Sequence, residues 1–141
     1  MTRSVGIVVP AYRPDPERLG AYLRALAERL GPAVIRVEID APQSDLRSQL
    51  GALPGCVEIA AVDARRGKGA AITAGFEALV DSVDVLSFAD ADGSTPAASF
   101  AAVVDAVTSH LDIACVGPPS RRLCGPSFAS RASAFHPHRS F

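Results

Sequence analysis

Four short apolar runs, each closed by turn residues and each followed by a stretch of helical period, constrain this chain to a layered α/β fold. Val5-Gly6-Ile7-Val8-Val9-Pro10 is continuous rather than alternating, the pattern of a strand covered on both faces. The helix after it carries concordant signals: Asp15 as N-cap, Pro16 at the first helical position and Glu17 in the first turn. Leu19, Tyr22, Leu23, Leu26 and Leu30 then follow at helical spacing, and Gly31-Pro32 is the stop. A second strand runs from Val34 to Asp40, followed by a short helix over residues 44–50. Val57 to Val62 reads as the third strand and Gly69 to Val80 as a helix presenting Ile72, Phe76, Leu79 and Val80. Val83 to Phe88 is the fourth strand, and Phe100, Val103, Val104, Val107 and Leu111 line a helix opened by Thr95 and Pro96. Ile113 to Val116 is a candidate fifth strand. Strands alternating with helices of this length form an open parallel sheet with right-handed crossovers and helices on both faces.

A length of 141 residues suits one domain with a real core. A net charge of −1 excludes binding to nucleic acid by charge alone. Cys56, Cys115 and Cys124 have neither metal-ligand spacing nor the even count of a disulfide framework, which points to a reducing compartment. No apolar run reaches the ~18 residues of a spanning helix, so the expected location is the cytoplasm, including the cytoplasmic face of a membrane. Arg occurs 13 times and Lys once, which singles out Lys68.

Two segments carry chemistry. Ala89-Asp90-Ala91-Asp92 follows the fourth apolar run, and Gly93 permits an immediate turn. On an extended strand, acids two residues apart point to one side and can hold a hard divalent cation at the carboxyl end of a strand, where open α/β sheets bind ligands. The alternative is a polar strand-to-helix turn. Asp63-Ala64-Arg65-Arg66-Gly67-Lys68-Gly69-Ala70-Ala71 leads into the helix that starts at Gly69, whose first amides and dipole favour an anion. It is neither a Walker A loop, since Gly follows the lysine, nor a Gly-x-Gly-x-x-Gly fingerprint, since Ile72 stands at the third position. A glycine turn with a solvated lysine is its alternative.

Taken in order, Val-Val-Pro-Ala-Tyr-Arg-Pro at 8–14, Asp40, Arg-Arg-Gly-Lys-Gly-Ala-Ala-Ile at 65–72 and Phe-Ala-Asp-Ala-Asp-Gly-Ser-Thr at 88–95 closely resemble the inverting family 2 glycosyltransferases. The nearest branch is the one that makes dolichyl-phosphate or polyprenyl-phosphate sugars, and the likeness covers about residues 4–122. The resemblance implies a Rossmann-like, glycosyltransferase A-type fold that binds a nucleotide-diphosphate sugar, UDP ahead of GDP, and transfers a hexose to a lipid phosphate or related acceptor. It implies that Pro10, Ala11 and Tyr12 lie against base and ribose, that Asp40 accepts from base or ribose, and that Arg66 and Lys68 lie near base or diphosphate. It also implies that Asp90, Ala91 and Asp92 face the sugar nucleotide, with Asp90 and Asp92 on Mg²⁺ or Mn²⁺. Arg13 is a further candidate contact, with a solvated arginine as its alternative.

The chain also departs from that family. Ile39-Asp40-Ala41-Pro42 supplies one acid where the family has two, and no catalytic base opposite the leaving group is identifiable. All 15 acidic residues lie at or before Asp112, whereas residues 113–141 contain four Arg, two His and four Pro without a clear period. The expected organisation is therefore a nucleotide-sugar-binding half over 1–122 and an atypical basic tail over 123–141. That tail is either a solvated extension or a foreign or frameshifted end. The second reading makes the chain truncated, inactive in transfer and prone to self-association. The rival functions are a non-catalytic nucleotide- or metal-binding module and a sugar-phosphate nucleotidyltransferase. Pro10-Ala11-Tyr12, standing where a glycine-rich loop would be needed, argues against the latter.

Overall fold

The computed structural model describes residues 3–42 and 45–109. Its elements in chain order are β1 (Val5–Ala11), α1 (Pro16–Arg29), β2 (Ala33–Ile39), α2 (Leu46–Leu50), β3 (Val57–Ala61), α3 (Lys68–Leu79), β4 (Val85–Phe88) and α4 (Ala97–Ser109). The four strands form one parallel sheet in the order β3-β2-β1-β4. The chain steps outward from β1 through β2 to β3, then returns to add β4 on the far side of β1. This reversal opens a crevice between the carboxyl ends of β1 and β4. The expected α/β open sheet with helices on both faces is thus the observed fold. The candidate strand at 113–116, Leu111 and the basic tail lie outside the described residues.

Alternation along the strands divides the core. Ile7, Val9, Ile35, Val37 and Ile39 point to one face, where Leu19, Tyr22, Leu23 and Leu26 of α1, Leu46 and Leu50 of α2, and Phe100 and Val104 of α4 pack on them. Burying each such large aliphatic side chain is worth about 1.5–3 kcal/mol, so this face carries most of the stability. The other face is thinner: among the described residues it is α3 that packs there, against β1, β2 and β4.

The packing of α3 differs from the sequence expectation. Its buried positions are Ala71, Gly75 and Leu79, whereas Ile72 and Phe76 are half-buried and Val80 is exposed. Gly75 is the reason. A Cβ there would stand 2.5 Å and 2.7 Å from the two γ carbons of Val8. Without one, the helix backbone settles directly onto β1, and this sets which stripe faces the sheet.

Other differences are local. Helix α4 begins one residue later than the Thr95-Pro96 pair predicts, because its first helical hydrogen bond runs from the Phe100 amide to the Pro96 carbonyl. Strand β4 starts at Val85 rather than Val83. There Asp84 turns its carboxylate back to accept from the amide and hydroxyl of Ser4 at 2.7 and 2.8 Å, tying the strand entrance to the start of β1. Helix α1 matches its signals: the Asp15 carboxylate accepts from the Arg18 amide at 3.0 Å, and Pro16 opens the helix.

Candidate functional site at the carboxyl edge of the sheet

Four separate stretches of sequence meet at the crevice. They are the loop after β1 (12–15), Asp40 at the end of β2, the loop 62–67 leading into α3, and the turn 89–96 between β4 and α4. The backbone builds the last of these. Strand β4 ends at Phe88, the Gly93 amide donates to the Asp90 carbonyl at 3.3 Å, and Gly93 takes φ +67°. Asp90 and Asp92 therefore stand in a turn and not on an extended strand, so the two-residue alternation does not orient them. One oxygen of Asp92 accepts from the Ser94 amide at 2.9 Å, an Asx turn that stabilises the loop. Hydrogen bonding from Ser94, its amide first and then its side chain, with the nearby Arg18 charge after them, outweighs burial and holds the Asp92 carboxyl below the ordinary carboxylate range. Arg18, in the first turn of α1, donates to the Asp92 carbonyl at 3.2 Å and fastens the turn to the helix.

Lys68 opens α3 behind Gly67, whose φ of +93° suits glycine, and reaches across the crevice to Asp90 with Nζ to Oδ1 at 2.5 Å. The lysine and the acid turn, 22 residues apart, are thus joined at the topological switch. Both side chains remain about half-exposed.

Asp40 has a different setting. It is 3% exposed, and its two oxygens accept from the amides of Arg66 and Gly67, both at 2.7 Å. The Arg66 amide first, with that of Gly67, holds its carboxyl below the ordinary range against the effect of burial. Asp40 is therefore the anion that organises the entrance of α3. The helix amides it leaves available are those of the first turn, at Lys68, Gly69 and Ala70. The guanidinium of Arg66 reaches Glu38 at 3.4 Å, and Glu38 also pairs with Arg36 at 2.6 Å.

Tyr12 stands 44% exposed beyond the end of β1, with the guanidinium of Arg65 over its ring at 4.2 Å and that of Arg13 at 5.5 Å. Arg13 takes φ +44°, uncommon for a residue with a Cβ, and so marks a constrained loop. Pro10 and Ala11 are buried within β1, and Ala91 packs partly against the core, so Tyr12 is the accessible member of the Pro10-Ala11-Tyr12 set.

Glu38, Arg18 and Tyr22 belong to this neighbourhood but escaped the motif reading, and Arg65 stood in the motif at 65–72 without a role of its own. For Glu38 a signal existed: Arg36, Glu38 and Asp40 alternate with Val37 and Ile39, which puts three charged side chains on one face of β2. Arg18 gave no such signal, and the pairing of Arg65 with Tyr12 gave none either, because the partners lie far away in sequence.

Among the described residues, no group of three or more His, Cys, Asp or Glu side chains converges. Two carboxylates fit a hard cation that arrives with oxygens of its own ligand, as Mg²⁺ does with a diphosphate, better than they fit an all-protein cage. No helix among the described residues is long and apolar enough to cross a membrane. No protein-family model and no curated protein matches the chain.

Proposed function

We propose that the crevice binds a nucleotide-diphosphate sugar and that the chain supplies the donor-binding part of a hexosyltransferase resembling the family 2 enzymes, with a lipid phosphate as acceptor. The observation that carries the reading is the Lys68–Asp90 pair at the switch point, with Asp92 beside it. A cation from the start of α3 and two acids from the turn after β4 provide one partner for phosphate oxygens and two for a divalent ion. A Mg²⁺ or Mn²⁺ ion held by Asp90 and Asp92 would neutralise charge gathering on the leaving diphosphate.

The remaining roles follow from exposure. Tyr12 offers an aromatic face for a base, in competition with Arg65. Asp40 works through the loop it anchors and not by direct contact, since both its oxygens already hold amides. Lys68 and the first amides of α3 face the diphosphate. UDP is the favoured nucleotide, on the strength of the resemblance alone.

Titration calorimetry of UDP with Mg²⁺, with Mn²⁺ and after chelation tests the site. The expected result is binding that depends on the metal. Equal affinity after chelation would remove the metal role, and no binding under any condition would remove the nucleotide reading. A radiolabel assay with a UDP-hexose and polyprenyl phosphate tests transfer separately. A chain that binds without turnover would be a nucleotide-binding module.

A further inference from the structure

Tyr22, in the second turn of α1, is 8% exposed, and its hydroxyl is buried without a hydrogen-bond partner among the described residues. A buried donor left unsatisfied costs about 1–3 kcal/mol, so its retention calls for an explanation. The ring gives the location. It packs beneath Gly93, whose hypothetical Cβ would meet Tyr22 Cδ2 at 3.4 Å and Cγ at 3.6 Å. Ala89 and Ala91, flanking Asp90, belong to or pack on the same apolar cluster. Tyr22 is therefore the floor of the acid turn. The turn resting on the ring carries both Asp90 and Asp92, so the buried phenol is a donor under a turn with two acceptors; burial first, then the charges of those acids, raises its pKa.

Those acceptors are otherwise engaged: Asp90 by Lys68, and one oxygen of Asp92 by the Ser94 amide. We propose that Tyr22 is a positioning residue of the Asp90–Asp92 turn, its ring supporting Gly93 and its hydroxyl donating to the acid pair when a cation–diphosphate ligand draws Lys68 away. Carboxylates that ligate a cation are commonly held by a further hydrogen bond that fixes their orientation. The proposal rests on the nucleotide-diphosphate reading of the crevice and adds a residue to it.

Tyr22→Phe keeps the ring and removes only the hydroxyl. Positioning predicts UDP affinity in the presence of Mg²⁺ weakened by about tenfold or more, the worth of a hydrogen bond to a charged group, with an unfolding midpoint unchanged or raised. A purely structural hydroxyl predicts the same stability result with affinity unchanged, and that outcome would overturn the proposal. A spectroscopic arm reads the ring itself. The chain has two tyrosines and no tryptophan, so in Tyr12→Phe the tyrosine absorbance belongs to Tyr22 alone. Mg²⁺ with inorganic pyrophosphate, transparent in the near ultraviolet, should shift that band, and a static band would count against a new hydrogen bond. Wild-type protein that binds no Mg²⁺–UDP would refute both the site and the Tyr22 role. Wild-type binding that Asp92→Asn abolishes and Tyr22→Phe leaves intact would refute only the Tyr22 role.

Discussion

Replacing Lys68 with alanine should move two affinities in opposite directions. In the ligand-free chain its ammonium lies 2.5 Å from Asp90, with the two side chains 58% and 43% exposed. Solvent screens both ends, so the pair is worth about 0.2–1 kcal/mol despite its short separation. Its loss should leave the unfolding midpoint nearly unchanged. It should also free Asp90 for a cation and tighten Mn²⁺ binding by up to about fivefold, the equivalent of 1 kcal/mol. A nucleotide diphosphate loses a charge-assisted partner worth about 1.5–3 kcal/mol, so metal-dependent UDP binding should weaken by roughly ten- to a hundredfold. Binding of uridine, which has no phosphate, should change little. Water-proton relaxation measures free against bound Mn²⁺, and calorimetry measures UDP and uridine. Mn²⁺ affinity that falls in Lys68→Ala, or equal losses for UDP and uridine, would refute the idea that Lys68 stands between the acid pair and the diphosphate.

Further outcomes follow from the same geometry. Asp92→Asn should abolish the metal dependence of UDP binding while the exposed Asp81→Asn leaves it intact, as read by calorimetry with and without chelator. Gly75→Ala should destabilise the fold in urea titration, because overpacking against Val8 costs about 1–3 kcal/mol, against at most about 1 kcal/mol gained in helix propensity. Gly69→Ala, in the same helix with open space around it, should instead stabilise by about 0.5–1 kcal/mol. Asp40, Asp84 and Asp92 all have carboxyls held below their ordinary value. Their contribution to stability is therefore complete above that value and is lost as the pH falls through it toward the lowered folded-state values. Thermal unfolding followed across acid pH should show this decline, and Asp40→Asn should make it shallower.

The strand–helix alternation, the Asp15-Pro16 start of α1 and the apolar stripe Leu19-Tyr22-Leu23-Leu26-Leu30 were legible in the sequence, because strand pattern, capping and helical period are local properties. The motifs that make up the crevice were legible too, since Gly67-Lys68-Gly69 and Asp90-Ala91-Asp92-Gly93 each combine a turn-forming glycine with charge. Their mutual arrangement was not. Strand order decides that Lys68, after β3, faces Asp90, after β4, across the ends of β2 and β1, and strand order is a non-local outcome of which apolar faces pack together. The stripe of α3 was misjudged for the same reason: Ile72 and Phe76 have the greater hydropathy, but only Gly75 permits the close approach to Val8 that fixes the helix rotation. Asp40 and Arg66 show the same limit at single side chains. Their charge was visible in the sequence, yet whether it faces a ligand or the protein was decided by tertiary structure. Two unsatisfied amides at the entrance of α3 came within reach of Asp40, and the buried Glu38, paired with Arg36, takes Arg66 as a second partner.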